Sequence, residues 1–371
     1  MTLAVEMMPR PASPPRPTIH GLRVVEIEQL TDDSVAIGFE VPPDLRDVYA
    51  FHPGQHVTVE RRSGGATERR SYSICTVPGS RHLRIGVRRV PGGAMSTYLT
   101  SDVRIGDELR VLTPTGHFGP DIDPVNERHY AAIAAGSGIT PILSIVATVL
   151  EQEPASAVTL IYGNRTRAST MFLDELEDLS ERHRGRLRIH HLRSREPIAD
   201  PVCRGRIDAR RLDALLRRSI DARSVDDWFV CGPEGMIRDA DAVLAGHDVG
   251  AERVHVERFR AGDLDPQMPA RTVPERPRVL STVTVVLDDA TATFELASDG
   301  EPILQAALAH LPEAPYGCRD GVCATCRVKV LDGEIAMDRC SALTPQEVRD
   351  GYALACQAHP CSERLELMFD A

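Results

Sequence analysis

The chain has 371 residues, 42% of them hydrophobic and 26% charged, which is enough for roughly two or three domains with separate cores. That mix excludes a fibrous or disordered chain, and a net charge of −11 argues against nucleic-acid binding through phosphate contacts. An odd number of cysteines (nine), and no apolar export signal in the proline-rich stretch Met1–His20, argue against a disulfide framework and for a cytoplasmic protein.

In chain order, residues 1–18 are proline-rich and predicted disordered. Within 19–122, short β runs are broken by turn residues: Leu22–Glu28, Ser34–Phe39, Gln55–Glu60, Arg70–Cys75, Leu83–Val90 and Glu108–Leu112. They predict a small antiparallel β-barrel. Within 123–260 the period changes. Strands at Tyr130–Ala134, Val158–Tyr162, Leu187–Leu192, Trp228–Cys231 and Val254–Glu257 alternate with helices at Pro141–Leu150, Met171–His183, Ala209–Arg217 and Glu234–Ala245. This alternation predicts right-handed crossovers and a doubly wound α/β domain with a parallel sheet.

Ala131–Leu150 runs twenty residues without a charge, long enough to suggest a membrane span. Gly136-Ser137-Gly138 and Thr140-Pro141 inside it favour a strand, a turn and a helix instead. Residues 261–279 hold several prolines and no periodicity, and read as a linker. Within 280–371, Ser281–Leu287 and Thr291–Leu296 form a hairpin around Asp288-Asp289, followed by a helix at Ile303–His310 and a cysteine-rich loop. Residues 281–371 carry 15 acids and 6 bases, a net of −9 that leaves −2 for the rest. So acidic a domain suits docking on a basic protein surface, with a plain solvated face as the bland alternative. Lys329 is the only lysine, so a single Arg in a motif carries little weight.

The sharpest chemical signal is Cys318, Cys323, Cys326 and Cys356, spaced C-x₄-C-x₂-C with the fourth Cys after 29 residues. Four thiolates hold the two irons of a [2Fe–2S] cluster, and this is the plant-type ferredoxin spacing. Gly317 and Gly321 allow backbone N–H groups to point at sulfur. A structural zinc site is the alternative, but zinc sites favour paired C-x₂-C knuckles and only one such pair occurs. Cys75, Cys203, Cys340 and Cys361 fit as small packing residues.

A second signal is Arg70-Ser71-Tyr72-Ser73 followed by Gly93-Ala94-Met95-Ser96-Thr97-Tyr98-Leu99. A flavin needs an aromatic to stack on its ring, an arginine for its pyrophosphate, and N–H and hydroxyl groups for its phosphates. Each half alone reads as a packing Tyr or a glycine turn; the pair in this order points to flavin. The third signal, Gly136-Ser137-Gly138-Ile139-Thr140-Pro141, stands between a strand and a helix, where backbone approaches a pyrophosphate. Pro141 replaces the third glycine of the dinucleotide fingerprint, so a plain turn stays equally open. At Cys231-Gly232-Pro233 a small thiol lies against a nicotinamide or is buried filler. After the second strand of this domain, Tyr162-Gly163-Asn164-Arg165-Thr166-Arg167 has no acid for a ribose 2′-hydroxyl, and Arg165 and Arg167 suit a 2′-phosphate, favouring NADPH over NADH. His190 and His191 share one strand and face opposite ways, which argues against a shared metal.

Together these motifs resemble the ferredoxin–NADP reductase superfamily with a plant-type ferredoxin domain at the C-terminus, most of all the reductase subunits of phenylacetyl-CoA epoxidases. The resemblance rests on Arg70-Ser71-Tyr72-Ser73-Ile74-Cys75, Thr115-Gly116-His117-Phe118, Ala134-Ala135-Gly136-Ser137-Gly138-Ile139-Thr140-Pro141 and Tyr162-Gly163-Asn164-Arg165-Thr166. It continues in Cys231-Gly232-Pro233, Glu257-Arg258-Phe259 and Gly321-Val322-Cys323-Ala324-Thr325-Cys326. It implies a β-grasp fold for the ferredoxin domain, FAD held by Arg70, Tyr72, Ser73, Gly93, Ser96 and Thr97, and NADPH held by Gly136, Gly138, Thr140, Arg165, Cys231 and Gly232. Glu257 and Phe259 close the flavin site, and Ser73 and Cys231 are the catalytic candidates that shape the hydride site. Electrons are then expected to pass from NADPH to FAD to the cluster and on to a multicomponent oxygenase with diiron hydroxylase subunits. No nucleic-acid or membrane partner is expected. The rival client is a Rieske-type hydroxylase such as a ketosteroid hydroxylase, and a remote rival is a non-catalytic iron–sulfur binding module.

Overall fold

The computed structural model describes residues 16–259 and 278–369. The predicted disordered tail (1–18) and linker (261–279) lie outside the described residues except at 16–18, 278 and 279. Among the described residues the chain divides into two compact units, one of residues 19–259 and the other of residues 278–369 together with 16–18.

The first unit opens with six antiparallel strands: β1 (Ile19–Thr31), β2 (Ser34–Glu40), β3 (His56–Ser63), β4 (Ala66–Ser73), β5 (Leu83–Arg88) and β6 (Glu108–Thr115), with helix α1 (Ala94–Ser101) between β5 and β6. Their order is β4-β3-β6-β1-β2-β5. The Ile74–Ile85 bridge joins the two edge strands and closes the sheet on itself. Large residues alternate inward, as period-two patterning requires: Leu22 and Val24, Val57 and Val59, Ile85 and Val87, Leu109 and Val111. The β4 strand starts four residues earlier than its apolar run predicts. A two-residue Gly64-Gly65 loop, both glycines at positive φ, turns β3 directly into β4.

Five parallel strands follow, β7 (His129–Ala135), β8 (Ala157–Asn164), β9 (Leu187–Arg193), β10 (Asp227–Cys231) and β11 (Val254–Glu257), in the order β11-β10-β7-β8-β9. Helices α2 (Ile139–Gln152), α3 (Leu173–Arg182), α4 (Ala209–Ser219) and α5 (Glu234–Gly246) make the crossovers. The charge-free run is the central strand β7 and the α2 helix, whose residues Ile139–Leu150 are all buried. That helix is apolar all round because it is covered on both sides, by its own sheet and by barrel residues Ala36, Cys75 and Phe118. No helix among the described residues is long and apolar enough to cross a membrane. Helix α3 starts at Leu173 rather than at the predicted Met171, since Phe172 adopts a left-handed conformation (φ 55°) and ends the incoming loop.

The outer face of β5 docks the two domains. Its alternation sends Leu83, Ile85 and Val87 into the barrel core and leaves Arg84, Gly86 and Arg88 facing out. Arg84 lies 3.6 Å from Glu175 of α3, and Arg88 donates to the Ser169 carbonyl at 2.7 Å. At Gly86 a Cβ would press on Thr140 and the Phe172 ring, so glycine permits this approach.

The second unit has strands β12 (Leu280–Leu287), β13 (Ala290–Ala297), β14 (Arg327–Asp332), β15 (Ile335–Met337), β16 (Tyr352–Leu354), β17 (Ala358–Pro360) and β18 (Arg364–Met368), with helices α6 (Ile303–Leu308) and α7 (Pro345–Arg349). The sheet order is β13-β12-β18-β14-β16, with β12 and β18 parallel. Val283, Val285, Leu365 and Leu367 pack under Ile303, Leu304 and Ala307 of α6. Helix α6 ends at Leu308, two residues short of its predicted end.

Candidate functional site

In the second unit the loop after α6 gathers the four cysteines. Cys323, Cys326 and Cys356 are buried and Cys318 is partly exposed. Three loop residues, Arg319, Gly321 and Ala324, take positive φ, which turns backbone amides toward sulfur. The Asp320 amide donates to Cys318 Sγ at 3.3 Å, the Cys318 amide to Cys323 Sγ at 3.3 Å, and the Thr325 hydroxyl to Cys323 Sγ at 3.2 Å. A hydrogen bond to Cys323, then burial, pushes the Cys318 thiol up. Cys326 and Cys356 share a hydrogen bond that raises Cys326 and lowers Cys356, and the charges of Cys323 and Cys318 also reach Cys326. The sulfurs thus stand two by two and within each other's field. Four thiolates so placed repel unless metal charge offsets them, and the pairing suits two irons.

In the barrel, Ser73 is buried and its Oγ has no hydrogen-bond partner among the described residues. Burial pushes the Tyr72 hydroxyl up. Arg70 points outward and pairs with Glu68 at 3.0 Å, while its neighbour Arg69 turns inward to Glu60 at 2.7 Å. Helix α1 begins at Gly93 with no side-chain cap, leaving its first amides for an anion. Ser96 Oγ accepts from the Val90 amide at 3.0 Å and shapes that loop, whereas Thr97 is exposed. An unpartnered buried hydroxyl, an uncapped helix start and an arginine at the rim fit a flavin dinucleotide.

In the parallel sheet, Gly136 takes φ +56° and Gly136–Gly138 form the turn that leads into α2, which also lacks a side-chain cap. A Cβ on Gly138 would collide with the Cys231 carbonyl oxygen, so this glycine brings the ends of β7 and β10 together. Thr140 is buried and its hydroxyl donates to the Ser137 carbonyl at 3.0 Å, tightening the same turn. Gly232 packs against Ala135 and Met236. Phe259 is 36% exposed at the end of the described segment. Arg165 is exposed and makes no ion pair among the described residues, but Arg167 is bound to Glu177 at 2.7 Å.

Residue spacing does not single out Arg88, His56 or Arg195, yet the structure places all three here. Arg88 Nη1 lies 3.0 Å from where a Gly136 Cβ would stand, putting a barrel cation on the nucleotide turn. The Arg195 amide donates to the Arg165 carbonyl at 2.8 Å, which sets a second exposed guanidinium on the next strand end. His56 faces Ser73 across β3–β4 and Thr115 across β3–β6, while Cys231 is the register partner of Glu257. The two pairs meet at His56 Nδ1 and Glu257 Oε1, 4.0 Å apart. Burial pushes the Cys231 thiol well up, and the Glu257 charge adds to it. No periodicity marks these contacts; only strand register reveals them.

Three family models match in chain order: the oxidoreductase FAD-binding domain at residues 21–119, the oxidoreductase NAD-binding domain at 132–242 and the 2Fe-2S iron-sulfur cluster binding domain at 285–361. The chain is 40% identical to a subunit of the 1,2-phenylacetyl-CoA epoxidase of Escherichia coli K12, over 95% of this chain and 98% of that one. It is 31% identical to the ferredoxin reductase component of 3-ketosteroid-9-alpha-monooxygenase of Rhodococcus rhodochrous, over 94% and 96%. Phthalate dioxygenase reductase shares the fold at 22% identity and a TM-score of 0.56, over 94% of this chain and 98% of that one. The chain also matches CYP116B46 from Tepidiphilus thermophilus, at 28% identity and a TM-score of 0.61, and spans 43% of that longer chain. The chain belongs to the ferredoxin-reductase superfamily, as an oxidoreductase of the same family as that phenylacetyl-CoA epoxidase component, joining FAD-binding, NAD-binding and 2Fe-2S domains in that order.

Proposed function

We propose that this protein takes electrons from NADPH and delivers them singly to a cytoplasmic oxygenase, the diiron phenylacetyl-CoA epoxidase. The observation that carries the client is the 40% identity to the epoxidase component across nearly the whole of both chains, against 31% for the ketosteroid reductase component. A bound flavin supplies the conversion of a two-electron hydride into single electrons that a one-electron cluster accepts. The domains are assigned as an FAD barrel at 19–122, an NAD(P) domain at 123–260 and a ferredoxin domain at 280–371, joined through 261–279.

Arg70, Tyr72, Ser73, Gly93, Ser96 and Thr97 hold FAD, with the Ser73 hydroxyl and the α1 amides as its polar contacts. Gly136, Gly138 and Thr140 shape the pyrophosphate turn, Cys231 and Gly232 border the nicotinamide, and Glu257 and Phe259 close the flavin site. NADPH is preferred because Arg165 and Arg195 offer two unspent guanidinium groups for a 2′-phosphate, whereas Arg167 is spent on Glu177. Cys318, Cys323, Cys326 and Cys356 hold the cluster.

The test is a tagged pull-down from the host grown on phenylacetate, with the bound proteins identified by mass. Ferritin-like hydroxylase subunits support the epoxidase client. Rieske-type subunits support the second reading, which the ketosteroid relative favours, and leave the electron path intact.

A further inference from the structure

We propose that His56 is a positioning residue: seated between Thr115 and Glu257, its imidazole fixes the Glu257 carboxylate beside Cys231 and so sets the potential of the flavin. The inference rests on the proposal that Ser73 and Glu257 border that flavin, with Cys231 at the adjoining nicotinamide.

His56 is not a surface histidine. It is 5% exposed, on the first residue of β3, with its Nε2 3.1 Å from Thr115 Oγ1 and its Nδ1 4.0 Å from Glu257 Oε1. One ring nitrogen is thus engaged within the barrel and the other faces a carboxylate of the neighbouring domain. Four ångströms is longer than a hydrogen bond, so the ring nitrogen packs against the carboxylate, and the pair is one of opposite charges only when the imidazole is protonated. The residue after Thr115 makes room for the ring. Gly116 takes φ +112°, and a Cβ there would lie 3.0 Å from His56 Nδ1. Thr115-Gly116, half of a motif with no role in the electron path so far, is therefore the seat of this imidazole.

Glu257 is the carboxylate worth fixing. It ends β11 in register with Cys231, and its charge already bears on that thiol. A carboxylate at this corner opposes the build-up of negative charge on reduction, so its position enters the flavin's midpoint potential. His56 acts on that potential only through Glu257, which distinguishes positioning from mere packing.

The experiment uses the full-length FAD-loaded protein with His56→Leu, His56→Gln, Glu257→Gln and the His56→Leu/Glu257→Gln pair. It measures FAD content, flavin midpoint potential by dye equilibration, and the rate of NADPH-driven flavin reduction. His56→Leu is expected to raise the potential toward the Glu257→Gln value and slow reduction about tenfold, with His56→Gln close to wild type. Adding His56→Leu to Glu257→Gln is expected to change neither quantity. A wild-type potential in His56→Leu, or the same shift in both backgrounds, overturns the inference. If His56→Leu loses FAD, Thr115→Val makes the same comparison at the other ring nitrogen, and a wild-type potential there overturns it equally. A wild-type chain that binds no FAD instead sinks the flavin reading beneath it.

Discussion

The two units of this chain build their redox sites in opposite ways. In the ferredoxin unit, three of the four thiols proposed to hold the cluster come from one loop, Cys318–Cys326, and the fourth, Cys356, comes two residues after β16. In the reductase unit, His56, Ser73, Thr115, Cys231 and Glu257 come from the ends of five strands in two sheets. A loop site survives as a spacing in the sequence, whereas a site assembled from strand ends exists only once the register is set. The first is therefore sensitive to its own loop, and the second to the packing that docks one sheet on the other.

Breaking the local site should give the largest and cleanest effect. Cys326→Ser removes a buried thiol proposed as a cluster ligand and is expected to abolish cluster iron and sulfide, while NADPH-driven flavin reduction stays within about twofold of wild type. Loss of both activities together would mean that the two sites are not independent.

Next in size is the barrel's own distributed device. Glu60 is fully buried and accepts from Arg69 Nε at 2.7 Å and Arg110 Nε at 2.6 Å. Burial raises its carboxyl, but the two arginines outweigh burial and hold it below the ordinary 4.5. A depressed carboxyl adds stability that is fully present above 4.5 and is lost as pH falls through the folded value. Glu60→Gln removes the buried carboxylate charge that Arg69 and Arg110 bind and should cost about 3 kcal/mol at neutral pH. Urea denaturation between neutral and acid pH should also show a flatter loss of stability in the variant.

Gly138→Ala sharpens the comparison at the seam. The added methyl meets the Cys231 carbonyl, so the strand ends must part, at about 1–3 kcal/mol. Thermal denaturation should show the cost, together with slowed hydride transfer and an unchanged cluster spectrum. A smaller effect is expected at Arg195→Ala, with KM for NADPH raised about tenfold and KM for NADH unchanged in steady-state kinetics. Equal changes for both nucleotides would remove Arg195 from the 2′-phosphate. The smallest effect concerns the net charge of −9 carried by residues 281–371. Electron delivery to the purified oxygenase should fall about threefold from low to high salt, in stopped-flow measurements.

Most strands were legible because large residues alternate inward and turn residues separate them. The Gly64-Gly65 hairpin shows the limit: β4 begins with Ala66, Thr67 and Glu68, which have no apolar signature and pair only because the loop returns them to β3. Helix α3 shows another, since nothing local says that Phe172 will leave the helix to pack against Gly86 of the barrel. The ferredoxin strands after Cys326 are three to six residues long, too short for a period to declare itself.

Residue order alone thus determined what is carried by short range: the cluster spacing, the glycine turn into α2, the barrel-then-parallel-sheet sequence of elements, and the meaning of the charge-free run. Tertiary structure decided what depends on partners far along the chain. It spent Arg167 on Glu177 and set Arg195 beside Arg165, turned Gly138 into a contact with Cys231, and brought His56 to Glu257. The physical reason is one of distance. A covalent spacing constrains atoms within a loop directly, whereas side chains two hundred residues apart meet only where burial of two apolar faces has already fixed the strands that carry them.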